Sequence, residues 1–195
     1  MRKKLLFCIA VALLIGIIFF GKTASDSNHE PRTLEESEKS LTELGDMLLS
    51  KGLGLERDNM IFITFEIFSK AKDDMIEIPS KTSEIGWVLF GLTDKGKNIE
   101  EIVIPSHVED KPVIGLFTGA FSQCPNLVSV TIPDTIRYTH KYVFTFCPRL
   151  KSITSSGDFF HAVGGVRSPV FVGCDISEWH YSDGLDVEFG FAPWE

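Results

Sequence analysis

A block of the sequence between Phe121 and Thr154 repeats itself at a fixed interval. Seven of its positions recur 23 residues later without a gap, six with the same residue and one with Ile in place of Val. The first set is Phe121, Cys124, Pro125, Leu127, Ser129, Val130 and Thr131, and the second is Phe144, Cys147, Pro148, Leu150, Ser152, Ile153 and Thr154. A fixed period of about 20 to 30 residues is typical of solenoids, in which each repeat buries its apolar face against the next.

One repeat begins with a short strand. Val130 and Ile132 alternate with Ser129 and Thr131, which predicts aliphatic side chains on one face of the strand and hydroxyls on the other. A proline follows each such strand and ends it, because proline cannot donate a ladder hydrogen bond. These prolines are Pro79, Pro105 and Pro133.

The arm that follows the strand carries Phe and Cys three residues apart, a spacing that predicts a helical or 3₁₀ turn. The predicted Phe rungs are Phe90, Phe121, Phe144 and Phe171, and the cysteines are Cys124, Cys147 and Cys174. Successive Phe rungs are 31, 23 and 27 residues apart, so one step is regular and the others carry loops. This predicts three to four stacked turns.

Several short motifs surround the repeat. They are Ile104-Pro105, Lys111-Pro112-Val113, Gly119 to Cys124, Leu127, and Val130 to Asp134. Together they resemble the BspA-type leucine-rich repeats over about residues 76–154. The Ile-Gly pair usual in that family is intact at Ile85-Gly86, whereas Leu116-Phe117 and Thr139-His140 replace it in the next two repeats. The resemblance implies a surface-exposed solenoid that adheres to host matrix proteins or to other cells.

The N-terminus has the pattern of a signal for secretion. Arg2, Lys3 and Lys4 precede a run without charge from Leu5 to Phe20. The pattern in residues 1–24 therefore predicts that the protein is exported. Residues 25–32 are predicted to form a polar linker. Two interpretations stay open, a cleaved signal peptide and an uncleaved membrane anchor, because no good cleavage site follows and the apolar run is slightly short for a membrane span.

Charge narrows the class of partner. Without residues 1–24 the chain keeps 15 of its 19 basic residues and all 27 acidic ones, a net charge of −12. This excludes nucleic acid and anionic membrane surfaces as expected partners.

The two ends of the predicted solenoid have a different composition. Residues 33–75 contain a capping box at Thr33 to Glu36, a leucine stripe up to about Ser50 and a buried strand from Met60 to Phe68. We interpret this segment as a cap, with a partner-binding or coiled-coil helix as the alternative. Residues 155–195 read as a degenerate repeat and an aromatic-rich C-terminal cap, with an aromatic ligand pocket as the alternative.

The sequence offers no catalytic chemistry. The three ladder cysteines suit either buried thiols or a disulfide, and their odd number leaves at least one unpaired. Neither the five histidines nor the acidic residues of the tail follow a zinc or EF-hand spacing, and no nucleophile elbow, phosphate loop or dinucleotide fingerprint occurs. We therefore predict no enzyme activity, no cofactor and no metal.

These observations predict an α+β fold: a short leucine-rich-repeat solenoid with a parallel strand ladder between two caps. Its expected function is protein recognition by an adhesin on the cell surface or in the medium. The candidate protein-binding positions face outward on the strands: Glu101, Val103, Ser129, Thr131, Ser152 and Thr154. The alternatives are an anchored scaffold inside the cell envelope and an enzyme whose site lies within 155–195.

Overall fold

The computed structural model describes residues 34–65, 75–77, 85–184 and 186–188, and the side chains of 41–65 and 85–184. The predicted signal or anchor, the linker, Thr33 of the capping box, Ile78-Pro79 and the last seven residues lie outside these ranges.

Among the described residues, the regular structure consists of fifteen short strands, two α-helices and one 3₁₀-helix. The helices are α1 Leu34–Ser50, the 3₁₀-helix Gly96–Asn98, and α2 Gly157–Val163. The first strands are β1 Gly54–Arg57, β2 Met60–Thr64, β3 Met75–Glu77, β4 Trp87–Leu92, β5 Glu101–Val103, β6 His107–Val108 and β7 Lys111–Leu116. The remaining strands are β8 Phe121–Ser122, β9 Ser129–Thr131, β10 Tyr138–His140, β11 Phe144–Thr145, β12 Ser152–Ser155, β13 Phe171–Val172, β14 Glu178–Tyr181 and β15 Asp186–Glu188.

The strands form three sheets, and successive passes of the chain add a strand to each. The five-stranded sheet has the order β15-β14-β12-β9-β5, and the three-stranded sheet has the order β13-β11-β8. The seven-stranded sheet has the order β1-β2-β4-β7-β10-β3, with β6 also paired to β7. Pairing is parallel between repeats, as in β5–β9–β12–β14, β8–β11–β13 and β4–β7–β10. The predicted parallel ladder is confirmed, whereas the number of turns, the caps and the domain boundaries stay predictions.

The inner strands β2, β4 and the second half of β7 in the seven-stranded sheet are buried on both faces. Alternate residues of β2 point to opposite sides, so Phe62 joins the interior of the repeats while Ile61 and Ile63 face α1. Leu44 and Leu48 of the predicted leucine stripe pack on this second side. Burial on both faces explains the continuous apolar run in β2. The strand β2 ends at Thr64, and residues 66–68 of the predicted strand lie outside the described residues.

Phe90 is not the first rung of the Phe ladder, contrary to the prediction. Phe121, Phe144 and Phe171 stack with ring centroids 4.6 and 5.1 Å apart. Phe90 instead stacks on Phe117 at 5.1 Å, in the cluster under α1. The reason is the register of β4, since the Phe117 amide hydrogen-bonds to the carbonyl of Leu89 and thereby aligns Phe90 with Phe117.

The Phe-x-x-Cys arm is a strand and not the helical or 3₁₀ turn that the spacing predicts. Each Phe begins a two-residue strand paired in parallel with the next repeat. The following residue has a positive φ, +51° at Gln123, +54° at Phe146 and +71° at Gly173. Hydrogen bonds between stacked repeats favour the strand, and the left-handed residue after it turns the chain toward the cysteine.

Candidate protein-binding face

The six residues predicted for the binding face lie on three adjacent parallel strands. They form two columns, and the residues within each column are paired in register. Glu101, Ser129 and Ser152 form one column across β5, β9 and β12. The second column, two residues further along each strand, consists of Val103, Thr131 and Thr154. We refer to these six residues as the strand face.

Strand alternation separates the strand face from the core. Between the two columns lie Ile102, Val130 and Ile153, whose exposed fractions are only 5, 1 and 0%. The outward side chains are different: Val103 is 67% exposed and the serines and threonines are half-buried. Aliphatic residues at alternate positions therefore anchor each strand and leave its polar side accessible.

The hydroxyl groups at the centre of the strand face are available to a partner. Within the described residues, the side chains of Ser129, Thr131, Ser152 and Thr154 make no hydrogen bond, since the ladder is held by backbone groups. A hydroxyl can donate and accept, so each can complement either polar group of another protein.

Strand β14 extends this face, which the sequence analysis did not anticipate. Glu178 is in register with Ser152 and His180 with Thr154, and His180 Nε2 lies 3.7 Å from Glu178 Oε2. Trp179 between them is fully buried and aligned with Ile153, and its Nε1 donates to Ser155 Oγ at 2.9 Å. The sequence signal for this strand is the alternation of polar residues with Trp179. It was missed because the spacing of the last repeat is irregular.

The described tail aromatics form core and not a ligand pocket. Phe160 meets Trp179 edge-on at a centroid distance of 4.8 Å and Tyr181 at 5.6 Å. Phe171 packs against Trp179 from another side, at 5.7 Å. The later tail aromatics, Phe189, Phe191 and Trp194, lie outside the described residues, and the aromatic pocket stays an alternative.

The ladder cysteines are free thiols; Cys124 and Cys147 are buried and Cys174 is partly buried. Cys147 Sγ donates to the carbonyl of Phe121 at 2.9 Å, and Cys174 Sγ to that of Phe144 at 3.6 Å. Hydrogen bonding with Cys124, helped by burial, raises the pKa of Cys147 to about 12. Hydrogen bonding with Cys147, with burial, also raises the pKa of Cys174. A raised pKa disfavours the thiolate, so these side chains have the character of packing residues and not of nucleophiles.

Three further observations concern a cleft, metal binding and membrane insertion. A half-open cleft of about 390 Å³ lies where α1 meets the end of β4, with Leu41, Ile61 and Phe90 among its apolar lining. In the part of the chain that the structure describes, no three His, Cys, Asp or Glu side chains are grouped so that they could hold a metal ion. Neither described α-helix is long and apolar enough to cross a membrane.

Comparison with known proteins identifies the family. The sequence model of the BspA type leucine rich repeat region matches residues 62–187 in six copies. The chain belongs to the BspA-type leucine-rich repeat family. The resemblance predicted from residues 76–154 is thus confirmed, and the match extends beyond that segment in both directions.

Two solved structures similar to this BspA-type protein are also leucine-rich repeat proteins. One, from Bacteroides capillosus, is 16% identical over 52% of this chain and 71% of its own, with a TM-score of 0.36. The other, from T. pallidum, is 19% identical over 55% of this chain and 51% of its own, with a TM-score of 0.27. No curated protein matches. Leucine-rich repeats of this kind are typically non-enzymatic scaffolds that mediate protein–protein interactions.

Proposed function

We propose that this BspA-type protein is an exported, non-enzymatic recognition module that binds another protein through its strand face. The observation that carries the proposal is the in-register array of hydroxyls on β9 and β12, flanked by the exposed Val103 and Glu101. Such a surface offers hydrogen-bonding groups on a rigid ladder, so a partner can bind without a large loss of conformational entropy.

The size of the face sets the expected affinity. Four parallel strands spaced about 4.8 Å apart, each contributing about three residues, present roughly 200 Å². A stable interface buries about 800 Å² on each partner, so a single strand face supports only weak binding. Useful adhesion would then require many copies that act together on one surface.

Export and adhesion are further parts of the proposal. The basic residues before Leu5 and the charge-free run to Phe20 support export. Family membership supports adhesion to a host matrix or cell-surface protein. Intact-mass measurement of the protein from each cell fraction tests the location: loss of about two dozen residues outside the cell supports a secreted adhesin, and a full-length mass confined to membranes supports the anchored envelope scaffold.

Binding tests use two substitutions on the strand face. Thr131→Arg and Thr154→Arg each place a long charged side chain among the hydroxyls, and we expect each to weaken adhesion to immobilised matrix proteins or host cells by about tenfold or more. Ser50→Arg, on the exposed end of α1, makes the same change of size and charge and should leave adhesion unchanged. Equal adhesion by all four proteins would refute the strand face as the binding site.

A further inference from the structure

Strand β5 is an end strand of the five-stranded sheet, and β9 is the one strand that pairs with it among the described residues. Toward β9, the Glu100 carbonyl accepts two amide hydrogen bonds, at 2.7 and 3.2 Å, and the Ile104 amide donates one at 3.0 Å. Alternate residues of a strand direct their amides and carbonyls to opposite sides. The amides and carbonyls of Glu101 and Val103 therefore point away from β9.

These four backbone groups make no hydrogen bond within the part of the chain that the structure describes. We call the outward amides and carbonyls of Glu101 and Val103 the open edge. Strand β14, three strands away, has no such edge because β15 pairs with it in antiparallel fashion. A row of unpaired donors and acceptors at the end of a sheet is a template for one more strand.

The side chains along the open edge favour particular residues in an added strand. Glu101 is exposed and makes no ion pair among the described residues, and Val103 is 67% exposed. Directly opposite residues of neighbouring strands stabilise a sheet when their charges are opposite or when both are apolar and β-branched. The open edge therefore favours a basic residue and, two positions further along, a β-branched aliphatic one.

A cleft continues the negative charge beyond the end of β5. It has a volume of about 420 Å³ and is lined by Pro105 just after β5, by Arg57 and Asp58 at the β1–β2 turn, and by Glu109 and Asp110 at the β6–β7 turn. Arg57 pairs with Asp58 at 3.7 Å, whereas Glu109 and Asp110 make no ion pair among the described residues. A second basic residue in the added strand would reach this cleft. The same carboxylates disfavour a second copy of this acidic chain as the added strand.

We propose that β5 binds an extended segment of another protein as an additional strand, in which lysine or arginine alternates with a β-branched residue on the side of the strand face. The proposal rests on the proposed function and deepens it, because Glu101 and Val103 belong to the strand face. Backbone hydrogen bonds at the open edge supply the attachment, and the carboxylates select a basic partner.

Fluorescence anisotropy with a labelled peptide, Thr-Lys-Thr-Val-Thr-Lys-Thr, tests the proposal on the purified protein. Two derivatives carry N-methyl groups, one on its threonines and the other on its lysines and valine. Because alternate amides face β5, we expect one derivative to bind at least about tenfold more weakly than the other. A peptide with glutamate in place of lysine should also bind at least about tenfold more weakly than the parent. Equal binding by the two methylated derivatives, or no binding by the parent peptide, would overturn the proposal.

Substitutions on β5 locate the site. Val103→Pro removes an outward amide and should weaken peptide binding by about tenfold, whereas Val103→Ile keeps the amide and should bind as wild type. Glu101→Gln should weaken binding severalfold, and the matched control Glu178→Gln, in the same column three strands away, should not. In wild type the peptide should slow hydrogen exchange of the Val103 amide. Unchanged exchange at Val103 with bound peptide would overturn the proposal even if Val103→Pro fails to fold.

Thr131→Arg separates this proposal from the strand face. It should keep peptide binding, because the backbone groups of β9 are used within the ladder. Peptide binding as expected, together with unchanged adhesion by Thr131→Arg, would support the added strand and refute the strand face. Weakened adhesion by Thr131→Arg, together with equal binding of the two methylated peptides, would refute the added strand alone. Self-association of wild type that Val103→Pro abolishes, without peptide binding, would overturn the proposal in favour of a second copy of this chain.

Discussion

At the scale of single residues, stacked rings carry the packing between repeats. Phe144 is fully buried, with Phe121 on one side at 4.6 Å and Phe171 on the other at 5.1 Å. Phe144 therefore contributes to two repeat interfaces. Phe146, only two residues further on, contributes little to this column because half of its surface is exposed.

We expect Phe144→Ala to lower the free energy of unfolding by about 3–5 kcal/mol, because it leaves a cavity in the middle of the column. Phe146→Ala is the control and should cost less than about 1 kcal/mol. Urea denaturation followed by circular dichroism measures both. Similar losses for the two variants would contradict the assignment of Phe144 to the core.

The raised thiol pKa makes the free energy of unfolding depend on pH in the alkaline range. The pKa of Cys147 is about 12 in the folded protein, against about 9 for an ordinary thiol. The folded state keeps its proton at pH values where the unfolded state has lost it, so this contribution is fully present below pH 9 and disappears as the pH rises from 9 to about 12.

Comparison of wild type with Cys147→Ala measures the effect of the coupled thiols, because the variant removes Cys147 and also the hydrogen bond that raises the pKa of Cys174. Between pH 8 and pH 10 wild type should lose on the order of 1 kcal/mol relative to the variant, as measured by urea denaturation. A difference between the two proteins that does not change with pH would show that the Cys147 pKa is not raised.

At the scale of elements, the alternation of apolar and polar residues predicts the strands that have one buried side and one polar side. It does not reveal the strands that are buried on both sides. Strands β9 and β12 follow from the alternation of Val130 and Ile153 with hydroxyl residues. Strand β7 shows no such alternation, because its last four residues, 113–116, are buried on both sides of the seven-stranded sheet.

Non-local pairing explains the other misses. Strand β4 pairs with β2 and β7, and this partner choice, absent from the local sequence, moves Phe90 out of the predicted ladder. The outward columns of the strand face depend only on alternation within each strand, which is why the sequence could predict their positions. The extension of the strand face onto β14 could not be predicted in this way, because it depends on which residues after α2 pair with β12.

The Ile-Gly pair illustrates a constraint of backbone packing. A Cβ atom on Gly86 would lie 2.4 Å from the carbonyl oxygen of Pro112, on the strand that β4 pairs with. Gly86 directly precedes β4, whereas Gly91 lies within it, and a Cβ atom on Gly91 would meet nothing within 4 Å.

We therefore expect Gly86→Ala to destabilise the protein by about 1–3 kcal/mol or more, since β4 and β7 must separate to admit the methyl group. Gly91→Ala is the matched control and should be neutral or stabilise by up to about 1 kcal/mol through the unfolded state. Thermal denaturation of the two variants measures the difference. Equal melting temperatures would show that β4 does not approach β7 at Gly86 as described.

At the scale of the whole molecule, different sheets carry surfaces of different character. The strand face on the five-stranded sheet is lined by hydroxyls, with Glu101 at one side and Glu178 at the other. The three-stranded sheet instead carries the stacked and buried rings of Phe121, Phe144 and Phe171.

Site-specific photo-crosslinking tests the central claim most directly. A photoreactive residue is placed at Thr131 in the protein made by its own cells, and at Ser50 as the control, and adducts are identified by mass spectrometry after illumination in contact with host cells or matrix. Our account predicts a protein adduct from position 131 that is absent from position 50. An adduct from position 50 alone, or from neither position while the cells adhere through this protein, would contradict it.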